Sequence, residues 1–335
     1  MQTEPLISWP QPLVEYAGFV AAFLATGAIG FRFGVLGRMP QPRDHAIHAR
    51  ASKRAAALGL TGVGLGAVIL ILRLPGLAAE RHRGVIEFVA GNAMLELQIV
   101  ATLLALAGFA LALGSRAPGW PLAALGVLAS ALRAALSGRW ERLVNPVHML
   151  AGGIWIGTLF VVLVAGFPAV LESRAGSDRR GVLAAQMVNT FSPMALVAAG
   201  VLATFGVITA WQHLKRLEAL WTTPYGFALI TKLCVVAAVA ALGAWNWRRQ
   251  RPRLGTEQAT MGLGRSAAAE LIAAAVVLAV TAVLVSLPSP SERRPGRPAP
   301  ATSTGAPPGG PRARASADPH RTAPSSASAP ASSRR

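Results

Sequence analysis

The chain has one cysteine, Cys234, among its 335 residues. A lone cysteine excludes an internal disulfide and any metal site built from a pair of cysteines. Charge is also scarce: Asp, Glu, Lys and Arg make up 14% of the residues, against roughly a quarter in an ordinary soluble domain. There is no Ser-His-Asp arrangement and no pair of carboxylates spaced for acid–base work. The one glycine-rich run, Thr61-Gly-Val-Gly-Leu-Gly66, lies inside an apolar block with no strand before it, so it is no dinucleotide site. These absences remove the common enzyme classes. The first ten residues contain no Lys or Arg, so the first apolar block is expected to be a retained helix and not a cleaved signal peptide.

What is present is apolar. Hydrophobic residues make up 53% of the chain. They fall in blocks of about twenty, the length that crosses about 30 Å of hydrocarbon as a helix. The blocks lie at about 13–36, 55–72, 88–113, 120–136, 145–166, 190–211, 227–247 and 267–287. The expected fold is therefore all-α: a polytopic membrane helix bundle of about eight transmembrane helices. The expected units are an N-terminal membrane half over 1–144, a second membrane half over 145–288, and a tail over 289–335. That tail, rich in Pro, Ser and Arg, has too few large apolar side chains to offset its ordering entropy and is expected to be disordered.

The net charge of +18 would suggest nucleic acid in a soluble protein. Here the cations sit mainly in loops and tail, where topology and anionic lipid account for them, and no nucleic acid partner is expected. Basic clusters follow the first, third, fifth and seventh blocks. Placing those loops in the cytoplasm puts both termini outside. Trp120, Trp140, Trp211, Trp221, Trp245 and Trp247 fall at block ends as an interfacial belt.

That orientation brings several unusual residues toward the outer face. Glu15 opens the first block, Met94 and Glu96 lie early in the third, His148 and Met149 open the fifth, and His213 closes the sixth. Imidazole and thioether are ligands that a soft ion such as Cu(I) accepts, and a carboxylate attracts either oxidation state. Met94, Glu96, His148, Met149 and His213 are thus the candidate metal ligands. Within the third block Asn92 and Glu96 share one helical face while Met94 and Gln98 point roughly opposite, so both pairs cannot line one site. Trp155 shares a face with His148. Lys232 and Glu96 lie within apolar blocks, where an unpaired charge is costly, and are expected to face the bundle interior with partners. Met187 and Met194 are read as packing.

The second half carries Asn145-Pro-Val-His-Met-Leu-Ala-Gly-Gly-Ile-Trp-Ile-Gly157, then Asn189-Thr-Phe-Ser-Pro-Met194, Ala210-Trp-Gln-His-Leu214, Thr223-Pro-Tyr-Gly226 with Lys232, and Glu270. In this order and spacing the chain resembles the copper resistance protein D (CopD) family of bacterial inner-membrane proteins over about 145–288. The resemblance implies movement of copper ions, bound as substrate, across the cytoplasmic membrane. It also implies a small periplasmic copper-binding partner of the CopC type. It points to His148, Trp155, Phe191, Ser192, Thr223, Pro224, Tyr225, Gly226, Lys232 and Glu270. One departure is Ser137-Gly138-Arg139-Trp140, where family members often have His in place of Arg139. Two other readings stand beside copper transport. One is a haem-binding or respiratory-assembly protein, with His148 and His213 as the pair at similar depth. The other is a non-transporting scaffold for a periplasmic copper-binding protein.

Overall fold

In a bilayer every backbone N–H and C=O must be satisfied within its own segment, and a helix does this residue by residue. The computed structural model describes residues 10–39, 45–133, 136, 140–173, 176–214, 216–250, 272 and 275–286, and all its regular structure is helical. Five helices are long and apolar enough to cross a membrane: α1 (Pro10–Arg38), α2 (His45–Ala79), α4 (Ala93–Leu113), α6 (Val144–Leu171) and α7 (Ser177–Leu214). Three shorter apolar helices complete the eight apolar blocks: α5 (Gly119–Leu132), the first part of α9 (Pro224–Gln250) over Pro224–Ala238, and α10 (Ala275–Ser286). Two short helices, α3 (Val85–Ala90) and α8 (Ala219–Thr222), lie in connections. The chain is an all-helical, multi-pass membrane protein. The expected disordered tail lies outside the described residues.

The third apolar block is not one continuous helix. It breaks at Gly91–Asn92, and Asn92 caps α4 by accepting the Leu95 N–H on its side-chain oxygen at 3.1 Å. A cap satisfies one of the donors that a helix start leaves open. Gln98 donates to Ser130 Oγ across to α5 at 2.8 Å. An interhelical bond of this kind holds helices together where the hydrophobic effect between them is weak. Two of the polar residues that open the third block thus have structural work.

The core is built on close approach. A Cβ on Gly27 of α1 would overlap the backbone of Gly157 on α6, and one on Gly157 would overlap Phe23. Only glycine permits that crossing. Helix α6 passes through two π-helical turns, Gly153–Gly157 and Val162–Gly166, a local widening common at functional sites. Phe31 and Phe109 are fully buried. Phe109 meets Trp120 edge to face, with centroids 5.8 Å apart.

Trp120 itself is buried and donates its indole N–H to Ser52 Oγ at 3.1 Å. It is a core residue, not part of the expected belt: the Ser52 acceptor lets the indole go inside satisfied. Trp211 and Trp221 are exposed, as belt residues would be. Met187 is buried against Gly166, and the Met194 sulfur sits over Gly34, so both methionines pack. Two ion pairs tie helix ends together: Glu15 with Arg73 at 2.7 Å and Arg54 with Glu172 at 2.6 Å.

Candidate functional site

His148 sits one turn into α6 and is half-buried. Its Nδ1 lies 3.0 Å from the backbone oxygen of Leu202 on α7. A carbonyl can only accept, so Nδ1 carries the proton and the lone pair is left on Nε2. That is the way metal-binding histidines are held, with the far nitrogen anchored and the near one presented. The ring comes this close because α7 has glycine there: a Cβ on Gly206 would stand 3.0 Å from His148 Cε1.

His213 lies two turns further along α7. Its Nδ1 donates to Thr209 O at 2.8 Å, and its ring stacks on Tyr225, 5.9 Å between centroids and 16° between planes. Tyr225 is buried in a small cluster with Leu214, Leu229 and Leu284. Seven residues on from Tyr225, Lys232 is half-buried on α9 and within Coulombic reach of His148. The spacing gives this a simple geometry. Gly206 and His213 are seven apart on α7, Tyr225 and Lys232 seven apart on α9, and the two helices run in opposite directions. Seven residues are two turns, so each pair falls on one helical face. His213 with Tyr225 forms one level, and His148 on Gly206 with Lys232 forms a second, about 10 Å away along the helix.

The start of α9 is set by the Thr-Pro-Tyr-Gly motif. Thr223 Oγ1 accepts the Gly226 N–H at 3.0 Å, Pro224 occupies the first helical position, and a Cβ on Gly226 would overlap the carbonyls of Ala219 and Leu220. A hydroxyl cap followed by proline is a helix-start signal. Its effect here is to fix where Tyr225 and Lys232 face.

The expected ligand set is only partly gathered. Met149 adjoins His148 and is half-buried. His213 is about two turns from the His148 level, so the two imidazoles are not at one depth as expected. The expectation failed because Leu202 and Gly206 draw His148 two turns down α7 from His213. Met94 and Glu96 are exposed on α4, which packs chiefly on α2 and α5, whereas α6 packs chiefly on α1 and α7. The structure does not bring these two to His148. Matching membrane depth does not make two helices neighbours. Glu15 is committed to Arg73.

Among the described residues no group of three or more His, Cys, Asp and Glu is arranged to hold a metal ion. No ion pair to Lys232 occurs among the described residues; Glu270 and Arg139 lie outside them. Trp155 packs against the core from within the first π-helical turn. Phe191 is buried, and Ser192 donates back to Val188 O at 2.7 Å. Leu202 and Gly206 were not singled out from sequence. The available signal was the seven-residue interval from Gly206 to His213, which matches that from Tyr225 to Lys232.

Residues 185–284 match the family model described as Copper resistance protein D, a stretch of less than a third of the chain. The matched stretch contains Leu202, Gly206, His213, Tyr225 and Lys232 and begins after His148. Over 153 residues the chain is 30% identical to the copper transport protein CutJ of Bacillus subtilis (strain 168), an alignment that covers 46% of this chain and 26% of that protein. The chain thus aligns with about a quarter of that relative's length. No solved structure matches it.

Proposed function

We propose that this protein moves copper across a bacterial inner membrane, with uptake toward the cytoplasm, and that His148 is its leading ligand through Nε2. The observation that carries the reading is the imidazole whose Nδ1 is anchored on Leu202 O at 3.0 Å, in space that Gly206 provides. Met149 is the second ligand, a thioether that suits the reduced ion. The His213–Tyr225 level stands on the outer side of His148 when the basic loops are placed in the cytoplasm, and it serves as the approach. A small periplasmic copper-binding protein of the CopC type would deliver the ion there. The sequence carries no nucleotide-binding motif, so the energy comes from a gradient or from an intracellular trap. The two membrane halves divide the work: 145–288 carries copper, and 1–144 supports it through the Gly27–Gly157 crossing.

A haem held between His148 and His213 is disfavoured by the offset of about two turns between them, because axial ligands must face one another across the iron. The test is copper content in cells producing wild type, His148→Ala or Met149→Ala, against an empty-vector control. Wild type is expected above the control, His148→Ala at or near it, and Met149→Ala between. Equal accumulation by all three proteins would remove these residues from the pathway, and wild type level with the vector would remove transport itself.

A further inference from the structure

A cavity unrelated to the copper reading opens where α1 ends, α2 begins and α4 turns into α5. Its volume is about 320 Å³. Arg32 from α1, His45 and Lys53 from α2, and Arg116 from the α4–α5 turn all line it, with the hydroxyls of Ser52 and Ser115. Its lining contains no carboxylate, and none of the ion pairs among the described residues uses Arg32, Lys53 or Arg116. Asp44, next to His45 in sequence, lies outside the described residues. Three formal positive charges, from α1, α2 and the α4–α5 turn, therefore converge on one small space with no carboxylate among its described lining residues.

Helix dipoles do not account for this. The N-termini of α2 and α5 open here, but α1 and α4 end here, and partial charges of about half a unit at each end roughly offset. The side chains set the potential. The turn that delivers Arg116 is unusual: Ser115 has φ of 58°, and the Arg116 N–H closes the end of α4 on Leu111 O at 2.9 Å. That is the left-handed capping position which glycine ordinarily fills. The remaining wall is apolar, with Leu36, Ala112 and the buried face of Trp120. A cationic rim over an apolar wall at a membrane face matches a phosphate group attached to something greasy.

We propose that this cavity binds a phosphate-bearing anion, either the headgroup of an anionic phospholipid or a soluble phosphate. The guanidinium groups of Arg32 and Arg116 would grip the phosphate oxygens as paired donors, with Lys53 adding a point charge. The test uses the full chain, purified in a neutral detergent. Native mass spectrometry would count bound phosphatidylglycerol against phosphatidylcholine, and thermal shift would follow added inorganic phosphate. Lys53 and Arg116 are exposed, so Lys53→Gln and Arg116→Gln leave the core intact. Arg83→Gln, altering an exposed residue paired with Glu87 at the other end of α2, is the control.

Wild type is expected to retain phosphatidylglycerol over phosphatidylcholine. Each cavity variant should weaken that retention about fivefold and the double variant about 25-fold, on the basis of about one such factor per cation near an anionic headgroup. Arg83→Gln should change nothing. Stabilisation by inorganic phosphate that the same variants abolish, without a lipid preference, would support the site with the soluble anion as its ligand. Wild type and double variant that are alike toward both probes would overturn the proposal.

Discussion

Replacing Gly206 by alanine separates the candidate site from the stability of the helix that carries it. Glycine inside a helix is less favourable than alanine by about 1 kcal/mol, so on helix propensity alone Gly206→Ala should stabilise α7. The new Cβ, however, would stand 3.0 Å from His148 Cε1 and 3.4 Å from Nδ1. Restoring ordinary contact requires the ring to retreat by roughly 0.5 Å, which stretches the 3.0 Å bond to Leu202 O toward the limit for a hydrogen bond. Overpacking costs of about 1–3 kcal/mol stand against the propensity gain, so net stability should shift by no more than about 2 kcal/mol. The anchoring bond is worth about 1 kcal/mol, or roughly fivefold. Losing the partner that orients a metal-bound histidine commonly costs about 10–100-fold in affinity. Copper accumulation by Gly206→Ala should therefore fall at least fivefold while the folded yield is retained. Gly200→Ala is the matched control, in the same helix with nothing within 4 Å of its added Cβ. If both alanine variants accumulate copper as wild type does, His148 is not held for metal by α7 and the argument fails.

Lys232→Met removes an ammonium that opposes any cation near His148. At an effective dielectric of about 20, a unit charge within about 10 Å of another repels it by about 1.7 kcal/mol or more. Copper affinity in a competition titration should therefore rise at least tenfold, and an unchanged affinity would show the charge to be neutralised by a partner. Gly27→Ala forces a methyl group into the Gly157 backbone and should lower the thermal midpoint and the membrane yield. Gly18→Ala, with nothing within 4 Å, should leave both unchanged. Glu172→Gln breaks the exposed pair with Arg54; such pairs contribute about 0–1 kcal/mol, so its thermal midpoint should lie close to that of wild type.

The helical type of the fold and the positions of its apolar blocks were legible because the bilayer imposes one kind of backbone satisfaction on every span; five of the eight blocks yield helices of spanning length among the described residues. What composition could not give was adjacency. Met94 and Glu96 shared an expected depth with His148, but depth is one coordinate, and the helix order that puts α4 against α2 and α5 is decided by contacts such as Gln98 with Ser130. The burial of Trp120 escaped for a related reason: its partners Ser52 and Phe109 are remote in sequence and have no motif in common with it. The second-half motifs carry another kind of information: they encode a register. Thr223 and Pro224 fix where α9 begins, and from that start the interval to Tyr225 and on to Lys232 sets which side chains stand opposite His213 and Gly206. A one-residue insertion between Tyr225 and Lys232 would turn the lysine by about 100° and leave the Tyr225–His213 stack in place. The motif is therefore better understood as a spacing rule between two levels of the bundle than as a set of independent ligands. It is also why Gly206, which has no chemistry of its own, belongs with His148 in any account of the site.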